Sequence, residues 1–205
     1  MESSTSITTE MPSSRKGHSP VGITSYDPFL RTPHRFRPVV GKMVFSSGSK
    51  RLMDLTAINI LKAHGIEHVV FVSSKKFSLP SWWKDTDMTF QRFPVDNKTG
   101  LPTVDQVKAI IDYIDGILKE RCDNGSVLVC NYSSSDDEYA VHIVTSLLYT
   151  KYCERMGIPF HSESTQSVQK RVFTLASFRG DDNKRRVQIK KRIQECVHTL
   201  FPGLV

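Results

Sequence analysis

The sequence predicts an α/β fold in which a central mixed sheet is flanked by helices. Short continuous apolar runs, such as 66–73 and 126–130, are typical of strands buried on both faces. Longer segments, such as 103–122, have apolar residues that recur at helical intervals. Because strands and helices alternate along 205 residues, we expect one layered domain with a full core and a tail.

The first 38 residues are predicted to be a disordered or extended N-terminal arm. Residues 1–20 are rich in Ser, Thr and Pro and contain few large apolar side chains, so they contribute little to a packed core. Pro28, Pro33 and Pro38 then interrupt regular structure. The folded domain is predicted over 39–205, with a helical C-terminal part that ends in a basic helix.

The first elements of this domain are predicted to be a strand, a helix and a second strand. Gly41–Ser47 alternates weakly and indicates the first strand. A helix is expected over Asp54–His64, with Asp54 as its N-cap and Gly65 as its C-terminal stop. The run Ile66–Ser73 is rich in β-branched and aromatic residues, which favours a buried strand.

A short strand and a long helix are predicted next. A loop over 74–87 precedes the strand expected at Met88–Phe93. The helix predicted over Thr103–Cys122 has an apolar stripe, and Thr103 and Gln106 have the spacing of a capping box.

One more strand and three helices complete the prediction. Ser126–Cys130 indicates a buried strand, and Glu138–Arg155 places Val and Leu side chains on one helical face. The remainder indicates two further helices, at about 164–178 and 184–200.

Composition limits the classes of protein that this chain can belong to. Its 39% hydrophobic and 24% charged residues are ordinary for a soluble globular protein. No apolar run approaches the roughly 20 residues that cross a membrane, and the N-terminus has no signal-peptide core, so we expect the cytoplasm or the nucleus. The four cysteines are widely spaced, which favours reduced thiols over a zinc site. We predict no metal and no cofactor.

Positive charge is concentrated near the C-terminus. The net charge is +7, and from Lys151 to the end there are 11 Lys and Arg against 5 Asp and Glu. Such a segment attracts nucleic acid or acidic protein, although a solvated helix face is the alternative. We predict no membrane association. The partner-binding candidates are Lys184, Arg185, Arg186, Lys190, Lys191 and Arg192.

Two adjacent tryptophans are a second candidate for partner binding. Trp82 and Trp83 lie in a predicted loop together with Lys75, Lys76 and Lys84. Paired aromatic residues near lysines can stack bases or anchor a protein partner. The alternative is a loop that covers the core.

The segment 126–138 is the most informative part of the chain. It is predicted as a buried strand, a short polar loop and the start of a helix, an arrangement in which backbone N–H groups and the helix N-terminus commonly hold phosphate. Here the loop contains no Gly, Lys or Arg, and it ends in the carboxylates of Asp136, Asp137 and Glu138.

This segment, with the long helix and Phe93-Pro94-Val95-Asp96 before it, resembles the cysteine-dependent protein tyrosine and dual-specificity phosphatases over about residues 39–155. The family signature is His, Cys, five residues, Arg, then Ser or Thr. Cys130 falls where the family has His, Asn131 where it has the nucleophile, and Asp137 where it has Arg. Asp96 matches the region of the general acid. The resemblance implies a dual-specificity-phosphatase-like fold.

The departures from the signature affect every step of the implied chemistry. An asparagine amide is not a nucleophile, and Asp137 cannot hold phosphoryl oxygens as an Arg fork does. A carboxylate about 6 Å from a phosphate dianion costs on the order of 5 kcal/mol at an effective dielectric constant near 20. Shifting the signature by one residue makes Cys130 the nucleophile but puts Asp136 at the Arg position.

The remaining signature residues are interpreted structurally. We expect Cys130 to be a small buried apolar residue and Asp96 to be a turn residue. The three carboxylates are expected to cap the helix N-terminus or to lie in an exposed loop, rather than to bind a metal ion.

These observations predict a protein that is not an enzyme. The leading hypothesis is a pseudophosphatase domain that acts as a protein-binding scaffold or regulatory subunit. The alternative is an RNA-associated protein that uses the basic C-terminal helix, since the same superfamily contains RNA 5′-triphosphatases. An enzyme of another class built on Asp96, Asp136, Asp137 or Glu138 is disfavoured, because no histidine-bearing constellation supports it. The oligomeric state is open.

Overall fold

Five strands form one mixed sheet at the centre of the molecule. The computed structural model describes residues 36–40, 44–47, 55–79, 81–96, 98–120, 126–131, 137–155, 165–175 and 183–204. The strands in chain order are β1 Arg37–Val40, β2 Val44–Ser47, β3 Ile66–Ser73, β4 Thr89–Pro94 and β5 Ser126–Cys130. They lie in the order β1-β2-β5-β3-β4, and every neighbouring pair is parallel except β1 with β2. The predicted fold class is confirmed.

The N-terminal edge of the sheet differs from the prediction. The strand expected over Gly41–Ser47 is present as β2 at Val44–Ser47, and a further strand, β1, precedes it at Arg37–Val40. Residues 37 and 38, which were assigned to the arm, belong to β1. Pro38 is tolerated there because β1 is an edge strand with an irregular register beside this residue. Asp54, the predicted N-cap, lies outside the described residues.

The helices begin and end within a few residues of their predicted bounds. They are α1 Leu55–Ala63, α2 Val104–Glu120, α3 Glu138–Arg155, α4 Thr165–Leu175 and α5 Asn183–Leu200. Short 3₁₀ helices span Ser81–Asp85 and Pro202–Leu204.

Local signals account for two of the helix ends. The capping box of α2 is present, because the Thr103 N–H donates to Gln106 Oε1 at 2.8 Å and the Gln106 N–H donates to Thr103 Oγ1 at 3.2 Å. Gly65 follows α1 with a φ of 69°, a conformation that favours glycine at a helix C-terminus.

The sheet separates two apolar cores of different size. Alternate residues of β3 and β5, such as Val70 and Val129, face the larger core, to which α2, α3, α4 and α5 contribute. The residues between them, such as Phe71 and Leu128, face a smaller core with α1 and Trp83. None of the described helices is long and apolar enough to cross a bilayer.

Candidate functional site: the turn between β5 and α3

The parallel pairing of β3 and β5 brings two chain segments together at one edge of the sheet. Phe71 is paired with Cys130, so both strands end at the same carboxyl edge, where α/β proteins commonly bind ligands. Asn131 follows β5, and α3 begins at Glu138. Residues 132–136 lie outside the described part. The turn therefore stands between a strand end and a helix start, as the sequence predicts.

Asp137 ties the start of α3 to the end of β3. Its side chain is 0% exposed, and Oδ2 accepts hydrogen bonds from the Ser73 hydroxyl at 3.1 Å and from the Ser74 N–H at 3.2 Å. Among the described residues, none donates a hydrogen bond to its Oδ1. The Asp137 backbone carbonyl accepts from the Val141 N–H at 3.3 Å, so Asp137 is the residue at which α3 begins its hydrogen bonding.

The segment after β3 is held from its other side by an arginine. Arg92 on β4 donates from Nε to the Lys75 carbonyl at 3.2 Å and from Nη2 to the Ser73 carbonyl at 3.3 Å. The Ser73 oxygen lies 3.1 Å from Asp137 Oδ2 and 3.4 Å from the Lys75 carbonyl. Since a hydroxyl has one proton, the shorter contact to the carboxylate is the one that it makes, and the Lys75 N–H donates back to it at 3.3 Å.

The Asp137 carboxylate does not act as the sequence suggests. The prediction that they cap α3 is wrong for the Asp137 side chain, because both hydrogen bonds to Oδ2 come from Ser73 and Ser74 rather than from α3. Glu138 Oε1 lies 3.4 Å from Nε2 of the buried His142, one helical turn later. Asp136 lies outside the described residues. Asp137, to which the resemblance assigned the position of the anion clamp, is thus a buried carboxylate that contacts the end of β3.

The position that matches the nucleophile carries no reactive group. Asn131 is buried, and its amide is not nucleophilic. The preceding Cys130 is also buried and faces the smaller core, in agreement with its interpretation as a small apolar residue. Burial raises the pKa of the Cys130 thiol well above its ordinary value. Because the thiolate is the attacking species, this environment suppresses the reactivity of Cys130.

Asp96 forms a turn at the same carboxyl edge of the sheet. Its Oδ1 accepts from the N–H groups of Lys98 at 2.6 Å and Thr99 at 3.4 Å, and its carbonyl accepts from the Gly100 N–H at 2.7 Å. The hydrogen bond from the Lys98 N–H is the largest cause that lowers the pKa of the Asp96 carboxyl. This agrees with its interpretation as a turn residue. A general acid must carry a proton at working pH, and these bonds favour the ionised form.

Trp83 is part of the smaller core. Trp83 is 1% exposed and packs against Phe71 in the smaller core, with ring centroids 6.3 Å apart. It is not available to a partner, so its prediction as a binding residue is wrong. Its large apolar indole fills the space beneath the 3₁₀ helix. This agrees with the alternative interpretation, in which the segment covers the core. The Trp82 side chain lies outside the described part of the structure.

The basic residues of the last helix are spread over its surface. Lys184, Arg186, Lys190 and Lys191 are exposed, whereas Arg185 and Arg192 are half-buried. The Arg185 guanidinium lies over the ring of Tyr139 in the first turn of α3, 5.7 Å from its centroid. Arg192 Nη1 lies 3.3 Å from Glu195 Oε2. The N-terminal end of α5 therefore lies beside the start of α3.

Ser73, Ser74 and Arg92 belong to the site, although the sequence did not single them out. The signal that could have identified them is position, because polar residues at the carboxyl end of a buried parallel strand lie where neighbouring turns converge. Across the described residues, no group of three or more His, Cys, Asp or Glu is placed to hold a metal ion.

Comparison with known proteins shows the fold of the chain. No protein-family model matches it, and no curated protein sequence matches it significantly. Among solved structures, PTPMT1 in complex with PI(5)P has a TM-score of 0.53 and 12% identity over 81% of this chain and 99% of that chain. Human DUSP28 has 0.52 and 14% over 79% and 95%, and Tk-PTP in the active form has 0.52 and 15% over 78% and 97%. The chain has the fold of the protein tyrosine and dual-specificity phosphatases.

Proposed function

We propose that this chain is a non-catalytic member of the cysteine-dependent phosphatase superfamily and that it works by binding a protein partner, as a scaffold or a regulatory subunit. Phosphate transfer by such a frame needs a thiolate, an anion clamp and a proton donor. Asn131, Asp137 and the hydrogen-bonded carboxylate of Asp96 stand at these three positions, and none of them has the required chemistry.

The environment of Asp137 is the observation that carries the proposal. A side chain that is 0% exposed and accepts two hydrogen bonds from the end of β3 is part of the packing of the turn. It cannot swing out to make room for a phosphate without leaving the Ser73 hydroxyl and the Ser74 N–H without their acceptor. Its negative charge also opposes a dianion at this edge by several kcal/mol, on the order of 5 as estimated above.

An exposed edge of the sheet supports protein binding. Of the described strands, β4 pairs only with β3, so its outer backbone groups face away from the sheet. Phe90 on this strand is 47% exposed, and it is one of two large apolar side chains that the described residues leave exposed. An open edge strand with an apolar side chain is a template onto which a partner can add a strand.

The catalytic part of the proposal is tested with an aryl phosphate. The wild-type protein and Asn131→Cys are each incubated with para-nitrophenyl phosphate, and release of the phenolate is followed. We expect neither protein to exceed the buffer control, because the Cys variant regains a nucleophile beside the carboxylate of Asp137. Turnover by the wild type would refute the proposal, and turnover by Asn131→Cys alone would refute the role assigned to Asp137.

The binding part is tested with two matched charge insertions. Phe90→Asp and Val187→Asp each place a carboxylate at an exposed apolar position, since Val187 is 64% exposed on α5. Partners are recovered on the tagged protein from its own cells and identified by mass spectrometry. We expect Phe90→Asp to lose partners that the wild type and Val187→Asp retain. Equal recovery of partners by the wild type and both variants would show that β4 is not the edge that binds them.

A further inference from the structure

The net charge of the chain resides on two helices. Of the 28 Lys and Arg in the sequence, 8 lie on α4 and α5, and of the 21 Asp and Glu, only Glu195 lies there. The rest of the chain therefore contains 20 residues of each sign and is neutral. A neutral body that carries a separate basic surface is typical of proteins that bind a polyanion.

This surface contains a groove between α4 and α5. The groove has a volume of about 450 Å³, within the roughly 300–1,000 Å³ range of ligand sites. Of the described side chains that line it, three are cationic and none is a carboxylate. Those that matter for recognition are Gln166, Gln169, Lys170, Phe173, Arg186 and Lys190.

The walls of the groove are fixed before any ligand arrives. On α4, Val168 and Val172 are buried in the larger core, and the Arg171 Nη2 donates to Thr150 Oγ1 on α3 at 3.0 Å. On α5, Ile189 and Ile193 are buried in the same core. A pre-formed site binds more tightly because less ordering accompanies association.

The groove offers a flat cationic group and neutral hydrogen-bonding groups side by side. The exposed Arg186 guanidinium lies over the Phe173 ring, 5.2 Å from its centroid. Bases stack on such guanidinium planes as well as on aromatic rings. The amides of Gln166 and Gln169 each provide donors and an acceptor, which is what the edge of an unpaired base requires. An acidic peptide would use the charges but would place no ring on the guanidinium.

We propose that the α4–α5 groove binds a single-stranded nucleic acid. Lys170 and Lys190 contact phosphates, and one base stacks on Arg186. A duplex keeps its bases stacked inside and does not present one to this platform, so the single strand is the ligand. The site is separate from the β5–α3 turn, and it does not depend on whether that turn is catalytic.

Charge reversal tests the phosphate contacts. Binding of a short labelled single-stranded RNA is measured by fluorescence anisotropy across a series of KCl concentrations. We expect Lys170→Glu/Lys190→Glu to lose about tenfold or more in affinity, and the slope of log K against log salt to fall by about 1.4, at roughly 0.7 per lost phosphate contact. The control Lys62→Glu/Lys84→Glu makes the same change in net charge on exposed residues of α1 and the 3₁₀ helix, on the other face of the sheet.

A charge-conserving change tests the stacking platform. Arg186→Lys keeps the positive charge but removes the planar guanidinium on which a base can stack. Since a stacked base contributes about 1–3 kcal/mol, we expect the affinity for RNA to fall about fivefold or more while the salt slope stays unchanged. Arg185→Lys is the matched control, because Arg185 lies over Tyr139 and does not line the groove. We expect it to bind as the wild type does.

Four results would overturn the proposal. The first is no binding of the single strand at low salt, and the second is an equal loss in both double charge reversals. The third is full binding by Arg186→Lys together with competition by poly-glutamate at equal charge concentration, which would assign the groove to an acidic protein. Preferential binding of a duplex of the same sequence would also exclude the single strand.

Discussion

At the β5–α3 turn and beside the α4–α5 groove, a charged side chain bridges two elements, but the two charges have opposite signs. Asp137 joins the start of α3 to the end of β3 and is 0% exposed. Arg171 joins α4 to α3, with its Nη2 3.0 Å from Thr150 Oγ1 and its guanidinium 4.6 Å from the centroid of the Tyr149 ring.

This difference separates the frame of a site from its chemistry. The turn lies between a strand end and a helix start, a place that suits an anion, but the buried carboxylate of Asp137 there has the charge that repels one. The groove is a by-product of packing two helices side by side, yet the charges that an anion requires are on its walls. A turn at the edge of a sheet where related folds bind a ligand therefore need not bind that ligand. The side chains, rather than the fold, determine which surface can bind an anion.

Replacing Asp137 with a cation has the largest effect that we expect. Asp137→Arg puts a guanidinium in place of the buried carboxylate and leaves the Ser73 hydroxyl and the Ser74 N–H without their acceptor. We expect the free energy of unfolding in urea to fall by about 3–5 kcal/mol, the usual effect of an uncompensated buried charge. Asp137→Asn is the control, because its amide oxygen still accepts from Ser73, and it should lose less.

The effect of added phosphate or sulfate on stability tests whether the β5–α3 turn is an anion site. If it is an anion site that lacks only its clamp, Asp137→Arg will be as stable as the wild type and will gain stability when either anion is added. We expect no such gain, because the carboxylate is part of the packing between α3 and β3.

Removing the positive bridge is expected to have a smaller effect. Arg171 is half-buried, and it makes hydrogen bonds to Thr150 Oγ1 and, at 3.4 Å, to the Ser146 carbonyl. We expect Arg171→Ala to lower the free energy of unfolding by about 1–3 kcal/mol, as charged hydrogen bonds usually contribute. Arg171→Lys should lose less, because it keeps the cation over Tyr149.

The same variant tests whether α4 must be docked for the groove to form. Arg171 does not line the groove. RNA affinity is measured for Arg171→Ala under conditions in which the variant is fully folded. A loss of affinity would show that the groove depends on the contact between Arg171 and α3. Unchanged affinity would show that the buried apolar residues of α4 are sufficient.

The sequence predicted the frame of the turn better than its contacts. The strands Ile66–Ser73 and Ser126–Cys130 have their predicted bounds, because buried β-branched runs are strong local signals. The helix Glu138–Arg155 also has its predicted bounds, although it is buried on most sides rather than along one apolar stripe. The identities of Asn131 and Asp137 at the signature positions could also be read directly. The partner of Asp137 could not, because Ser73 is 64 residues away and only the parallel pairing of β3 with β5 brings it close.

Three other differences have physical reasons of the same kind. The burial of Trp83 depends on which way the 3₁₀ helix turns over the smaller core, and the local sequence does not determine this. Pro38 suggested an interruption, whereas an edge strand has one side on which a missing N–H is not needed. The groove itself was missed. The sequence singled out Arg186 and Lys190 on the last helix, but Lys170 lies on α4, and only the docking of α4 against α5 places it beside them.

The pH dependence of stability that Asp96 contributes is the smallest effect that we expect. It tests whether the carboxyl edge of the sheet, where the β5–α3 turn lies, still has a proton donor. The hydrogen bonds from Lys98 and Thr99 lower the pKa of this carboxyl in the folded state. The stabilisation is therefore present above the unfolded pKa of about 3.9 and is lost as pH falls through the lower folded value. Asp96→Asn keeps an oxygen that accepts the same bonds but does not titrate. We expect its melting temperature to lie slightly below that of the wild type at neutral pH and the difference to vanish in acid. The opposite result is a wild-type melting temperature that rises relative to Asp96→Asn on acidification. It would mean that the Asp96 carboxyl holds its proton in the folded state, as a general acid does. The carboxyl edge of the sheet would then retain a proton donor for phosphate transfer.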